Sequence, residues 1–229
     1  MANHPIFAAT FHGDVAVVKT LLDEDSSLIA VRDAQDLTPL HVAASRGKLD
    51  VAKLLIERGA DIAGPSKDEQ WTPLIYAAYR GHTKLVEFLV AHGAGVTAAD
   101  GNPIHYSGQR RHKEICRILV QSGALEGLVD TEDPDVVNLF RAAYSYDAES
   151  ANEILARRPE LVDWKDKDGR TAIHEACTQG DTKTVRTLLS FGANLEIRDK
   201  YGHTPEDRAS SHRQHAVSQI IERHKAAIR

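Results

Sequence analysis

The side chains that could do chemistry in this chain are arginines and large aromatics. Arg46, Arg80 and Arg110 recur along the first half, with Trp71 and Tyr79 close to the second of them and Tyr146 further on. A guanidinium offers a planar fork of donors to a carboxylate. Trp and Tyr supply rigid contact area, and all three residue types concentrate in binding hot spots. Such a set recognises a partner; it does not make or break bonds. Catalytic constellations fail one by one. No Gly-rich phosphate loop, G-x-S-x-G elbow or H-E-x-x-H helix occurs. His203, His212, His215 and His224 cluster near the C-terminal end, and His212 and His215 could share a helix face. A zinc site there needs a third ligand and a hydrogen-bonded outer shell, so these histidines read as the polar face of a terminal helix. Cys116 and Cys177 belong to no C-x-x-C pair and read as small core residues. The acidic run Asp23-Glu24-Asp25 reads as a solvated turn. No catalysis, metal or cofactor is expected.

Composition bounds the partner. The chain has 229 residues, 42% hydrophobic and 27% charged, an ordinary soluble balance that argues against disorder throughout. Aromatic residues at 6% are thin for one large core. A net charge of −5 argues against a general nucleic-acid or anionic-membrane binder. Met1 to Thr10 shows no basic start followed by an apolar run. No stretch approaches the roughly 18 apolar residues of a membrane span. The expected protein is intracellular, cytoplasmic and monomeric.

The elements that must position these side chains come from an internal repeat. Thr38-Pro39-Leu40-His41-Val42-Ala43 returns as Thr72-Pro73-Leu74-Ile75-Tyr76-Ala77 and as Thr171-Ala172-Ile173-His174-Glu175-Ala176, and a last copy starts at Thr204-Pro205. Gly47, Gly81 and Gly180 follow the first three at one offset, and Gly59-Ala60, Gly93-Ala94 and Gly192-Ala193 at another. Asn102-Pro103-Ile104-His105 opens a weaker copy; degenerate ones lie near Ile6-Phe7-Ala8-Ala9 and Phe140-Arg141-Ala142-Ala143. Within one copy, Thr38 can cap a helix whose first turn tolerates Pro39. Gly47 ends that helix, and Val51, Leu54, Leu55 and Ile56 make a second at helical spacing. One such copy cannot bury its apolar face alone, so neighbours must stack.

This pattern resembles the ankyrin repeat, whose signature T-P-L-H-x-A is matched by residues 38–43. The resemblance covers nearly the whole chain. It implies an all-α ankyrin-repeat solenoid of about seven helix-turn-helix units with short β-hairpin-like projections and degenerate terminal caps. The units begin near residues 4, 37, 71, 101, 137, 170 and 203. Repeated His41, His105 and His174 are read as structural, bonding backbone between units. The resemblance further implies an interaction module that binds a protein or peptide, without catalysis, on a concave face built from projection tips and the exposed ends of the first helices. There, Arg46, Arg80 and Arg110 precede three successive helix ends. They would form a ladder with rungs roughly 10 Å apart, flanked by Trp71 and Tyr79, suited to an acidic partner. Tyr146 is placed at the equivalent position of the fifth unit. Trp164, Arg170, Tyr201 and His203 form a second, less regular set.

Departures from the period set the expected domains. Residues 1–124 hold units one to four, 125–137 an acidic insertion or hinge, and 138–229 units five to seven with the C-terminal cap. Lys/Arg against Asp/Glu counts 13 to 14 in the first segment, none to five in the second and 15 to 14 in the third. The acidity therefore sits in 125–137. An alternative function follows, a regulatory or inhibitory subunit whose 125–137 insertion is an intramolecular or intermolecular ligand. The projection between Gly93 and Asn102 is shortened, and Arg111 stands where a glycine ends the other helices. Leu28–Asp33 and Leu161–Asp166 share an unusual ending without Gly-Ala.

Overall fold

The structure is a computed structural model and describes residues 4–67, 70–97 and 102–228. Among these residues the chain is all-helical, with no strand. Seven consecutive helix pairs are present: α1 (Pro5–His12) with α2 (Val15–Glu24), α3 (Pro39–Arg46) with α4 (Leu49–Glu57), α5 (Pro73–Arg80) with α6 (Thr83–Ala91), α7 (Pro103–Gln109) with α8 (Lys113–Gln121), α9 (Pro134–Ser145) with α10 (Ala148–Arg157), α11 (Ala172–Gln179) with α12 (Thr182–Ser190), and α13 (Pro205–Ser211) with α14 (His215–Ala227). The two unusual endings fold as 3-10 turns, Ser26–Ala30 and Pro159–Asp163. The chain forms two compact units, 1–107 and 108–229.

In the first unit α1, α3 and α5 pack side by side, and α2, α4 and α6 form a second row. Leu40, Ala43, Ala44, Leu55, Leu74, Ala77, Val86 and Leu89 are fully buried between the rows. The alanines let the first helices approach closely. Thr38 caps α3 in a capping box with His41, and Thr72 accepts the Ile75 N–H at the start of α5. Gly47 ends α3 with φ 65°, and a Cβ there would lie 2.5 Å from His82 Nδ1. Glycine is required twice at this point, by the left-handed backbone and by the histidine of the next repeat.

In the second unit α9, α11 and α13 form one row and α10, α12 and α14 the other, with α8 packed on α9. The division between the two compact units falls inside α7, between residues 107 and 108. The segment 125–137, expected as an acidic insertion or hinge, contributes packed residues. Leu125, Leu128 and Val129 are buried, and Leu128 O accepts the Lys167 N–H at 3.3 Å. These three apolar residues have the spacing of one helical turn, which the surrounding acids obscured. Asp133 caps α9, so Pro134–Val137 is already helix. The carboxylates of Asp133 and Asp135 pair with Arg158 and Arg157.

The projections are hairpin-like in outline, but side chains close them. Asp33, Asp166 and Asp199 each accept two backbone N–H groups of their own loop through Oδ1, two and four residues on. In the second projection Ser66 takes this place: its N–H donates to Trp71 O at 2.8 Å and its Oγ accepts the Trp71 N–H at 3.1 Å. Residues 68–69 of that projection, and 98–101 of the shortened one, lie outside the described residues.

Candidate partner-binding surface

Trp71 ends the second projection and leads into α5, whose helical phase puts Tyr76 and Tyr79 on one face. Three rings surround its indole: Tyr76 and Tyr79, each at 5.2 Å between centroids, and Tyr106 at 4.7 Å. The Trp71–tyrosine pairs are edge-on or tilted, the arrangement favoured by aromatic quadrupoles. Trp71 is half-buried. Its backbone is held from two sides, by Ser66 and by His41 Nε2, which donates to Trp71 O at 3.1 Å. The other ring nitrogen of His41 faces the Thr38 N–H and hydroxyl. Burial lowers the His41 pKa to about 4, against the help of the Trp71 carbonyl. The ring is thus neutral at physiological pH, with its proton on Nε2. His174 repeats the arrangement in the second unit, bonding His203 O at 3.3 Å. Both histidines are structural inter-repeat ties, as the repeat spacing implies.

Beside the rings a pocket of about 460 Å³ opens, lined by Leu37, Ser45, Trp71, Tyr76, Tyr79 and Arg80 among others. Three residues singled out in the sequence, Trp71, Tyr79 and Arg80, therefore meet at one place. Arg80 is exposed, with its guanidinium 5.8 Å from the Tyr79 ring centroid. Arg46, also exposed, lies 4.0 Å over the Phe11 ring. Among the described residues neither arginine joins an ion pair, whereas Arg32, Arg58, Arg117, Arg157, Arg158, Arg170, Arg198 and Arg208 all do. Arg110 occupies the matching position before Arg111, which takes the left-handed φ of 61° in place of glycine. It is exposed and belongs to the second unit.

Tyr146 stands one position away from the expected rung. It occupies the left-handed capping position itself, at φ 60°. Its half-buried hydroxyl donates to Gln179 O at 3.3 Å, and Lys113 Nζ lies 4.6 Å from its ring. The α9 helix ends one residue earlier than the degenerate copy suggested, so Ser145 holds the rung position. The other residues of the second set diverge. Trp164 packs on Phe140 at 5.8 Å and Tyr201 is 60% exposed between Lys200 and Arg208. Arg170, with 11% of its side chain exposed, pairs with the buried Glu175 at 2.9 Å.

Sequence reasoning passed over Tyr76 and Tyr106. Both fill the variable slot of the six-residue signature, in consecutive repeats, and that coincidence was the available signal. In the second unit the same slot holds Glu175 and Arg208, which are tied to Arg170 and Asp199. Among the described residues no group of three or more His, Cys, Asp or Glu is placed to hold a metal ion. None of the described helices is long and apolar enough to cross a membrane.

Comparison with known proteins agrees with the geometry. Profiles described as ankyrin repeats match residues 6–56 and 40–90, and a three-copy ankyrin profile matches 139–228. The chain is similar to the serine/threonine-protein kinase VIK of Arabidopsis thaliana, 43% identical over 82 residues, which is 36% of this chain and 19% of the kinase. It is also similar to the ADP-ribosylation factor GTPase-activating protein AGD4 of the same plant, 29% identical over 51% of this chain and 16% of that protein. The chain thus spans under a fifth of the length of either relative. The human ASB11 ankyrin repeat domain superposes with a TM-score of 0.62 at 26% identity, covering 90% of this chain and 92% of its own. A chain from the Bdellovibrio bacteriovorus predatory endopeptidase Bd0816 in complex with immunity protein Bd3460 aligns over 97% of this chain and 99% of its own, at TM-score 0.53 and 22% identity, a likeness of fold alone.

Proposed function

We propose that this chain, which belongs to the ankyrin-repeat family, works as a non-catalytic, monomeric interaction module that captures an acidic protein or peptide on the first-helix face of its first unit. Ankyrin repeats are protein-interaction modules, so the open question is where this one binds and what. The observation that carries the reading is the pairing of Arg80 and Arg46, exposed and outside any ion pair among the described residues, with the aromatic pocket beside Arg80. Uncompensated positive charge next to desolvated aromatic area favours an anionic partner and speeds its encounter. The alternative, a regulatory or inhibitory subunit whose 125–137 insertion acts as an intramolecular or intermolecular ligand, has less support. Its apolar residues are buried and two of its carboxylates already face Arg157 and Arg158. The working compartment in this reading is the cytoplasm.

The test is charge reversal of both arginines. A partner recovered with the wild-type chain is titrated calorimetrically against Arg46→Glu/Arg80→Glu. Affinity falls at least about tenfold, or about 1.4 kcal/mol, while unfolding stability moves by under about 0.5 kcal/mol because both side chains are exposed. Wild-type binding also weakens as salt rises. Equal affinity for the double variant, with no salt dependence, overturns the reading.

A further inference from the structure

The rings around Trp71 do more than border a basic patch. Leu37, Trp71, Tyr76 and Tyr79 give the pocket apolar and aromatic walls, and Arg80 is the one charged group among the described residues that line it. A cationic ligand is disfavoured there, since the aromatic faces are shared with a guanidinium and no carboxylate is among the described lining residues. A simple anion leaves the aromatic walls unfilled. The ligand that satisfies both parts has a flat apolar group for the rings and a negative charge beside it for Arg80.

We infer that the pocket anchors one aromatic side chain of the partner and that an Asp or Glu within about two residues of it meets the Arg80 guanidinium. The inference rests on the acidic-partner reading above and narrows it to a two-part motif. Spacing follows from chain geometry: Arg80 lines the same pocket as the rings, and an extended chain advances about 3.3–3.6 Å per residue. A carboxylate further along the peptide would overshoot the guanidinium. The walls are set before the ligand arrives. Ser66 and His41 fix the Trp71 backbone, and Trp71 in turn lies against Tyr76, Tyr79 and Tyr106. Little ordering is left to oppose binding. Partner rings can add edge-on contacts of the kind already present within the cluster.

The experiment uses the full chain carrying Trp164→Phe, so that Trp71 is the single indole and reports the pocket directly. Three blocked peptides in a Gly/Ser background are titrated: one with the core Phe-Asp-Asp, one with Ala-Asp-Asp and one with Phe-Ser-Ser. The first binds at least about tenfold more tightly than either of the others and shifts Trp71 emission. Ser45→Phe, which fills the pocket from its rim without adding a second indole, abolishes that binding and leaves the far-ultraviolet circular dichroism spectrum unchanged. Equal binding of the first two peptides, both weakened by Arg46→Glu/Arg80→Glu, removes the aromatic anchor and leaves the acidic-partner reading standing. Stronger binding of Phe-Ser-Ser than of Phe-Asp-Asp removes the role of Arg80. No binding of any acidic peptide at about millimolar concentration overturns both.

Discussion

The buried ion pair of the second unit gives the sharpest test of the physical reasoning. Arg170 Nη1 lies 2.9 Å from Glu175 Oε1, with 11% and 2% of the two side chains exposed. Water can screen little of this pair. Burial alone would lower the Arg170 pKa, but the Glu175 carboxylate, Tyr144 and Asp166 hold it above the ordinary value. Tyr144, fully buried, is pushed well up, first by burial, and it also shares a hydrogen bond with Glu175. Glu175→Ala removes the acceptor of both groups and leaves a guanidinium buried beside it. Breaking such a pair costs about 3–5 kcal/mol. Replacing the whole set with apolar groups of similar size is a different matter, because no charge is then stranded. The triple variant Tyr144→Phe/Arg170→Met/Glu175→Leu is therefore expected within about 1 kcal/mol of wild type. Urea unfolding in a Trp71→Phe background reads the second unit through Trp164, which packs on Phe140. A cost below about 1 kcal/mol for Glu175→Ala, or a triple variant as unstable as the single one, would refute the claim that desolvated charge governs this cluster.

Two further outcomes check the packing and the titration. Leu55, fully buried in the first unit, should cost about 2–5 kcal/mol as Leu55→Ala in urea unfolding read through Trp71; a cost under about 0.5 kcal/mol would place it outside the shared core. The Asp166 pKa is raised from 3.8 to about 6, chiefly by burial, and its Oδ2 has no hydrogen-bond partner among the described residues. Its folded pKa exceeds the unfolded one, so its contribution is fully favourable below about pH 4 and is lost as pH rises through about 6. Asp166→Asn keeps the Oδ1 acceptor for the Asp168 and Arg170 N–H groups. It should flatten this loss, a gain of up to about 3 kcal/mol at pH 7, and unchanged pH dependence of the Trp164 transition would contradict it.

The repeat period by itself determined the helix pairs, their caps and the structural role of the histidines. Those features are local: a Thr-Pro start, a glycine end and a 33- to 34-residue step from Thr171 to Thr204 and from Thr38 to Thr72 leave one arrangement of each repeat. The period also set Arg46 and Arg80 at exposed helix ends, because those ends recur in register with it. It misplaced Tyr146 by one position, since a degenerate copy without glycine carries no mark of where its helix stops. It read 125–137 as an acidic insertion or hinge on the strength of its five acids, and carried no mark that Leu125, Leu128 and Val129 are buried. Tertiary structure alone decided what the variable slot does. Tyr76 in that slot borders an open aromatic pocket in the first unit, and Glu175 in the same slot is buried under Arg170 and Tyr144 in the second. The slot's neighbours come from the adjacent repeat and its projection, about 30 residues away in sequence, so its environment is fixed only when the repeats stack.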